Sequence, residues 1–138
     1  MALFLGAGAQ FLVRYNADKI IQDFGNQFVA RVSIICMFFG LLTISLTNSP
    51  YLALIGFFIM GAGTAVLFPI AVSAAAQMSD KSSAANVASL AQISFVVFLI
   101  GPPFLGYLAE AYGIRISFIV CLPLLFLSWV FIFSIDNK

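Results

Sequence analysis

Residues 32–79 read VSIICMFFGLLTISLTNSPYLALIGFFIMGAGTAVLFPIAVSAAAQMS, and no charged side chain interrupts them. A membrane-spanning helix takes about 20 mostly apolar residues, so this run is too long for one crossing. It carries its own divider. TNSPY at 47–51 brings Asn48, Ser49 and Pro50 together, residues that form turns and break helices. The run therefore reads as two spans joined by a turn.

The rest of the chain can be read the same way. Of its 138 residues, 63% are hydrophobic and 8% charged, with a mean hydropathy of +1.13, against roughly 25% charged in a soluble domain. This composition predicts an all-α membrane protein. A charge at the middle of a spanning helix costs about 2.5–3.5 kcal/mol, so charges mark where the chain leaves hydrocarbon. They cluster at Arg14, Asp18, Lys19, Asp23 and Arg31; at Asp80 and Lys81; at Glu110 and Arg115; and at Asp136 and Lys138. About five transmembrane helices result, at roughly 1–17, 29–47, 50–78, 83–109 and 114–135, in a single transmembrane domain. The first is short, because Arg14 follows only the apolar stretch 1–13, and it looks cut off.

Alternating the loops places Arg14, Lys19, Arg31, Lys81 and Lys138 on one side and Arg115 on the other. The positive-inside rule makes the first side cytoplasmic, together with the C-terminus of a multi-pass inner or plasma membrane protein. Met1 leads into ALFLGAGAQFLV without a basic leader, so no signal peptide is expected. The net charge of +1 is spread along apolar segments and forms no phosphate-binding stripe, which argues against nucleic acid. The sequence has no His, which removes the usual general base and zinc ligand. Cys36 and Cys121 stand alone in apolar runs. No enzyme activity, metal or cofactor is expected; the partners expected are the lipid bilayer and a small solute.

The second and fifth spans are bulky and apolar all round, as expected of helices with much lipid contact. The third and fourth carry the glycines, the alanines and most of the polar residues, and are expected to face inward. Asn86, Ser89 and Gln92 recur every three residues as a polar stripe, which Gln10 can join if the first and fourth spans are neighbours. They line a wet pathway or hydrogen-bond between helices. Gly61 and Gly63 ahead of Pro69 serve either close packing or helix bending beside a pathway. Gly101, Pro102, Pro103 and Gly106 predict a kink or break, since consecutive prolines remove two helix donors. RYNADKIIQDFG at 14–25 pairs Arg14 with Asp18 and Lys19 with Asp23 at i,i+4. It is either a solvated loop that sets topology or a segment that opens and closes with the protein.

Taken together, these segments resemble the C-terminal half of a major facilitator superfamily transporter. RYNADKIIQDFG resembles the looser R-x-x-x-D-R form of the loop after the eighth helix, with Arg14, Asp18, Lys19 and Gly25 in matching places. MGAGTAVLFP is similar to the glycine-rich tenth helix. GPPFLG resembles a G-P-x-x-G-G pattern, except at Leu105, and AEAYGIR resembles the segment opening the last helix. Where the family often has a basic pair after the glycine, Asn26 and Gln27 stand here. The resemblance implies a partial major facilitator-type helical bundle, helices eight to twelve, of a secondary transporter that moves a small solute by alternating access. Such transporters hold the solute between two six-helix halves, so the N-terminal half is an expected partner. The resemblance makes Arg14, Asp18 and Lys19, with Gly25, a cytoplasmic gating segment, and Gln10, Asn86, Ser89 and Gln92 candidates for the pathway. The competing reading is a small non-transporting polytopic membrane protein, a subunit or scaffold, or an inactive gene fragment.

Overall fold

The computed structural model describes residues 1–135, with the side chains of Asp18 and of residues 133–135 outside that description. It is helical throughout: α1 Ala2–Tyr15, α2 Ala17–Phe24, α3 Asn26–Leu46, α4 Pro50–Gln77, α5 Ser83–Tyr112 and α6 Ile114–Ile135. Among the described residues, four helices, α3 to α6, are long and apolar enough to cross a membrane. α1, with 14 residues, is shorter.

The helix ends follow local chemistry. Thr47 Oγ1 accepts from the Ser49 N–H at 3.1 Å, holding the turn that leads into Pro50. Proline suits a first helical position, where its missing N–H would have no partner. Ser82 caps α5 by accepting from the Ala85 N–H. Gly25 separates α2 from α3 at φ 81°, ψ 154°, and Gly113 separates α5 from α6 at φ 90°, ψ 152°. This backbone region is open essentially only to glycine.

Two features differ from the sequence expectation. The segment between the first two spans is not an open loop: Ala17–Phe24 is helical, with Ala17, Ile20, Ile21 and Phe24 along one side and Lys19, Gln22 and Asp23 on the other. Its alternation of apolar and charged residues has helical period, and both ends are closed by backbone turns, Ile20 N–H to Asn16 O and Gly25 N–H to Ile21 O. Second, no break occurs at Gly101, Pro102 and Pro103, and α5 continues to Tyr112. Proline removes the donor to the carbonyl four residues back but leaves later turns free to form, so a membrane helix can run on past it.

The chain divides into two compact units. One is Met1–Leu67 together with the chain from Phe118 onward; the other is Phe68–Ser117. In the first, α3 is the most enclosed span, burying Val29, Ala30, Ser33, Ile34, Gly40, Leu41, Ile44 and Ser45. The bulky second span, expected to have much lipid contact, thus buries one side while Val32, Ile35 and Phe39 stay exposed. α5 shares its unit only with the last turns of α4 and the first turn of α6, and buries Asn86 alone. From Phe95 to Ile100 every α5 side chain is at least half exposed.

Within the first unit, glycines bring backbones together. A Cβ at Gly61 would collide with the Gly6 carbonyl of α1. One at Gly63 would lie 2.6 Å from the Ser33 carbonyl, and one at Gly40 2.7 Å from the Met60 nitrogen. α4 is therefore approached closely by α1 on one side and α3 on another, as small residues allow in membrane helices. Phe57 and Phe118 meet edge to face at 5.9 Å and join α6 to α4.

Candidate functional site

The candidate residues fall into three places. At the end of α1, Arg14 is exposed, and Lys19 is exposed on α2. The Asp18 side chain lies outside the described residues. The i,i+4 spacing of Arg14 with Asp18 would share a face on one continuous helix, but the chain departs from helix at Asn16, φ −100°, ψ 3°, between them. Lys19 and Asp23 do share α2. Gly25 then turns the chain into α3, with no atom within 4 Å of an added Cβ, so it serves backbone geometry rather than packing. Ile20 and Phe24 of α2, with Val13 of α1, Phe28 and Cys36 of α3 and Val66 of α4, line a half-open apolar cavity of about 400 Å³.

Gln10 sits one turn past Gly6 on α1. Its Nε2 donates to Thr64 Oγ1 at 3.3 Å, and Thr64 Oγ1 donates to the Gly61 carbonyl at 2.9 Å. The polar pair closes the same α1–α4 contact that Gly6 and Gly61 form. Here Gln10 acts as interhelical glue, worth about 0.6 kcal/mol for a hydrogen bond of this kind in a membrane protein. Gly63 packs against Ser33 and Met37, and Pro69 lies in continuous helix.

In the second unit the Asn86, Ser89 and Gln92 stripe divides. Asn86 is buried, and its Nδ2 donates to the Met78 carbonyl at 3.1 Å and to Asp80 Oδ1 at 2.9 Å, tying the turn before α5 to its first turn. Ser89 is exposed and donates to the Ala85 carbonyl of its own helix at 2.9 Å. Gln92 is exposed. Gly101 and Gly106 have no atom within 4 Å of an added Cβ. Ser117, which sequence reasoning passed over, is buried and donates to the Leu105 carbonyl at 2.9 Å, joining the start of α6 to α5. A lone serine at a span terminus carries no periodic signal that would have singled it out. Among the described residues, no group of His, Cys, Asp and Glu is placed to hold a metal.

Apolar spans in sequence, glycine-mediated helix contacts and a charged amphipathic segment ahead of the first long helix define a multi-pass helical membrane protein. The profile of the Major Facilitator Superfamily matches residues 1–138. The chain belongs to that superfamily, and its helices form part of such a bundle. It is 33% identical over 114 residues to an uncharacterised transporter, y4wD, of Sinorhizobium fredii, covering 83% of this chain and 30% of the relative. An uncharacterised MFS-type transporter of Yersinia pestis is 29% identical over 120 residues, covering 87% of this chain and 31% of the relative. The membrane protein MosC of Rhizobium meliloti is 31% identical over 101 residues, 73% of this chain and 25% of the relative. The chain thus spans less than a third of the length of these relatives. No solved structure matches.

Proposed function

We propose that the chain contributes helices eight to twelve of a secondary active transporter that moves a small solute by alternating access, and that it acts as a transporter rather than an enzyme. The observation that carries this reading is the full-length superfamily match, taken with two relatives named as transporters. In this reading the cations of α1 and α2 face the cytoplasm of an inner or plasma membrane, as does the C-terminus, and an N-terminal half supplies the other wall of the pathway.

The gate is the segment from Arg14 through Asp18 and Lys19 to Gly25. α2 packs beside α1 and α3, Ile20 and Phe24 line a cavity that α4 also borders, and Gly25 provides a backbone pivot, an arrangement suited to a short helix that shifts between two positions. Ser89 and Gln92, exposed on α5, are the pathway candidates; Asn86 positions the helix that carries them, and Gln10 holds α1 to α4. Pro69, Gly101, Pro102, Pro103 and Gly106 are the points where α4 and α5 can bend.

The test uses the intact transporter containing this chain, with Cys36 and Cys121 replaced by Ala. A cysteine at Gln92 is expected to react with a membrane-impermeant maleimide and one at Phe39 is not. Equal reactivity at the two positions overturns the pathway assignment. Asp18→Asn is expected to impair solute uptake in vesicles while leaving insertion unchanged, and unaltered uptake returns the segment to a purely topological role.

A further inference from the structure

A separate apolar depression of about 360 Å³ lies between α3 and α6, away from the gate segment and the pathway candidates. Ile34, only 5% exposed, forms its floor. Each helix lends it an adjacent pair of rings. Phe38 and Phe39 of α3 meet edge to face at 6.2 Å, and Phe126 and Trp129 of α6 lie 6.2 Å apart, tilted by 31°. Phe39 and Phe126 are more than half exposed, so the depression is open on one side. Both walls belong to the same compact unit.

Depth and chemistry together narrow what can sit there. Counted along α3 from Asn26, the lining begins about 12 Å in and ends about 20 Å in; counted back from Ile135, it lies about 9–15 Å along α6. The hydrocarbon core of a bilayer is about 30 Å thick, so the depression sits near its middle. Apart from the indole of Trp129, every described lining side chain is aliphatic or phenyl. A polar solute would leave its donors and acceptors unpaired against such walls. Another spanning helix is about 10 Å across, too wide for the slot, and helices pair in membranes through small residues or interhelical hydrogen bonds. Among the described lining residues there is no Gly, Ala, Ser or Thr. Hydrocarbon is what remains at this depth. A flexible chain can follow a slot between ring pairs, and without it the lining atoms would lose their dispersion contacts on one side.

We propose that the depression is a binding site for one acyl chain of a bilayer phospholipid, which enters from the open side and lays its deep half between α3 and α6. Recognition is by the chain rather than the headgroup, because only the part remote from the headgroup reaches the middle of the bilayer. The bound chain ties α6 to α3 at the level of Phe38 and Phe126.

Trp129 is the single tryptophan of the chain, so its fluorescence reports on this site alone. The purified full chain in detergent is titrated with phosphatidylcholine brominated either in the half of one acyl chain remote from the headgroup or in the half next to it. Remote bromine is expected to quench Trp129 to a plateau reached at one lipid per chain, and near bromine to quench it weakly. Ile35→Phe puts a ring into the slot from α3 while keeping Trp129, and is expected to remove the plateau; Leu125→Phe does the same from α6 and serves if the first variant loses its helicity. Quenching that climbs with added lipid and never levels off means that the helices meet only exchanging lipid, and overturns the proposal. A plateau unchanged in a folded slot-filling variant overturns it as well. So does an absence of quenching with dimers seen by light scattering, which assigns the face to a second copy of the chain.

Discussion

The contact between α1 and α4 offers the sharpest test of how this bundle is held. Gly61 faces the Gly6 backbone so closely that a methyl group has no room, and the atoms it would meet are main chain, which cannot swing aside as a side-chain tip can. Gly61→Ala must therefore push α1 away. Overpacking of this kind costs roughly 1–3 kcal/mol, offset by about 0.5–1 kcal/mol because alanine loses less backbone entropy than glycine in a helix. Displacing α1 also stretches the Gln10–Thr64 hydrogen bond, already 3.3 Å long, at about 0.6 kcal/mol. The net loss expected is about 1–2 kcal/mol. Gly106→Ala is the matched control, since it lies inside α5 with no atom within 4 Å of an added Cβ and no proline next to it, so that only the entropic gain applies. The two variants should differ by about 2 kcal/mol, or roughly 5–10 °C in thermal unfolding for a chain of this size. Unfolding of the purified variants in the same detergent, followed by circular dichroism, measures the gap. Coincident transitions would refute the reasoning, because they would mean that α1 and α4 do not approach at Gly6 and Gly61.

Two other substitutions probe the turns. Gly25→Ala forces a side chain into φ 81°, ψ 154° with no steric neighbour; a cost of about 1–3 kcal/mol is expected, visible as faster proteolysis between α2 and α3, and unchanged cleavage would contradict the assigned backbone. Asn86→Ala removes the bonds to Met78 and Asp80, about 1–2 kcal/mol in all. Faster hydrogen exchange confined to residues 78–86 is the expected outcome, whereas exchange spread over α5 would mean that Asn86 does more than anchor the turn.

Much of this molecule was legible before any coordinates. The turn between α3 and α4 stands out because Asn, Ser and Pro coincide in an otherwise apolar run, and glycine-rich α4 announces close packing because membrane helices tolerate glycine where neighbours approach. α2 was harder to see. Eight residues with three charges look like a solvated loop when charge is the only signal, and the helix becomes apparent only once Ile20 and Phe24 line an apolar cavity beside α3. The prolines of α5 do not break it, because they remove donors while the turns beyond them remain free to form.

The candidate residues show the same division. Gln10, Asn86, Ser89 and Gln92 form one class by composition, polar groups in apolar helices, and sequence offers no means of sorting them. The structure gives Gln10 to Thr64, Asn86 to the turn at Asp80 and Ser89 to its own helix, and leaves Gln92 exposed. By itself the sequence determined that the chain is a multi-pass membrane protein, where the turn between α3 and α4 falls, and which superfamily it resembles, because hydropathy, charge and helix breakers act locally along the chain. Only the tertiary structure decided which glycines touch another backbone, which polar groups are consumed by neighbours and that the charged segment folds over an apolar cavity. Those outcomes depend on residues tens of positions apart meeting in space.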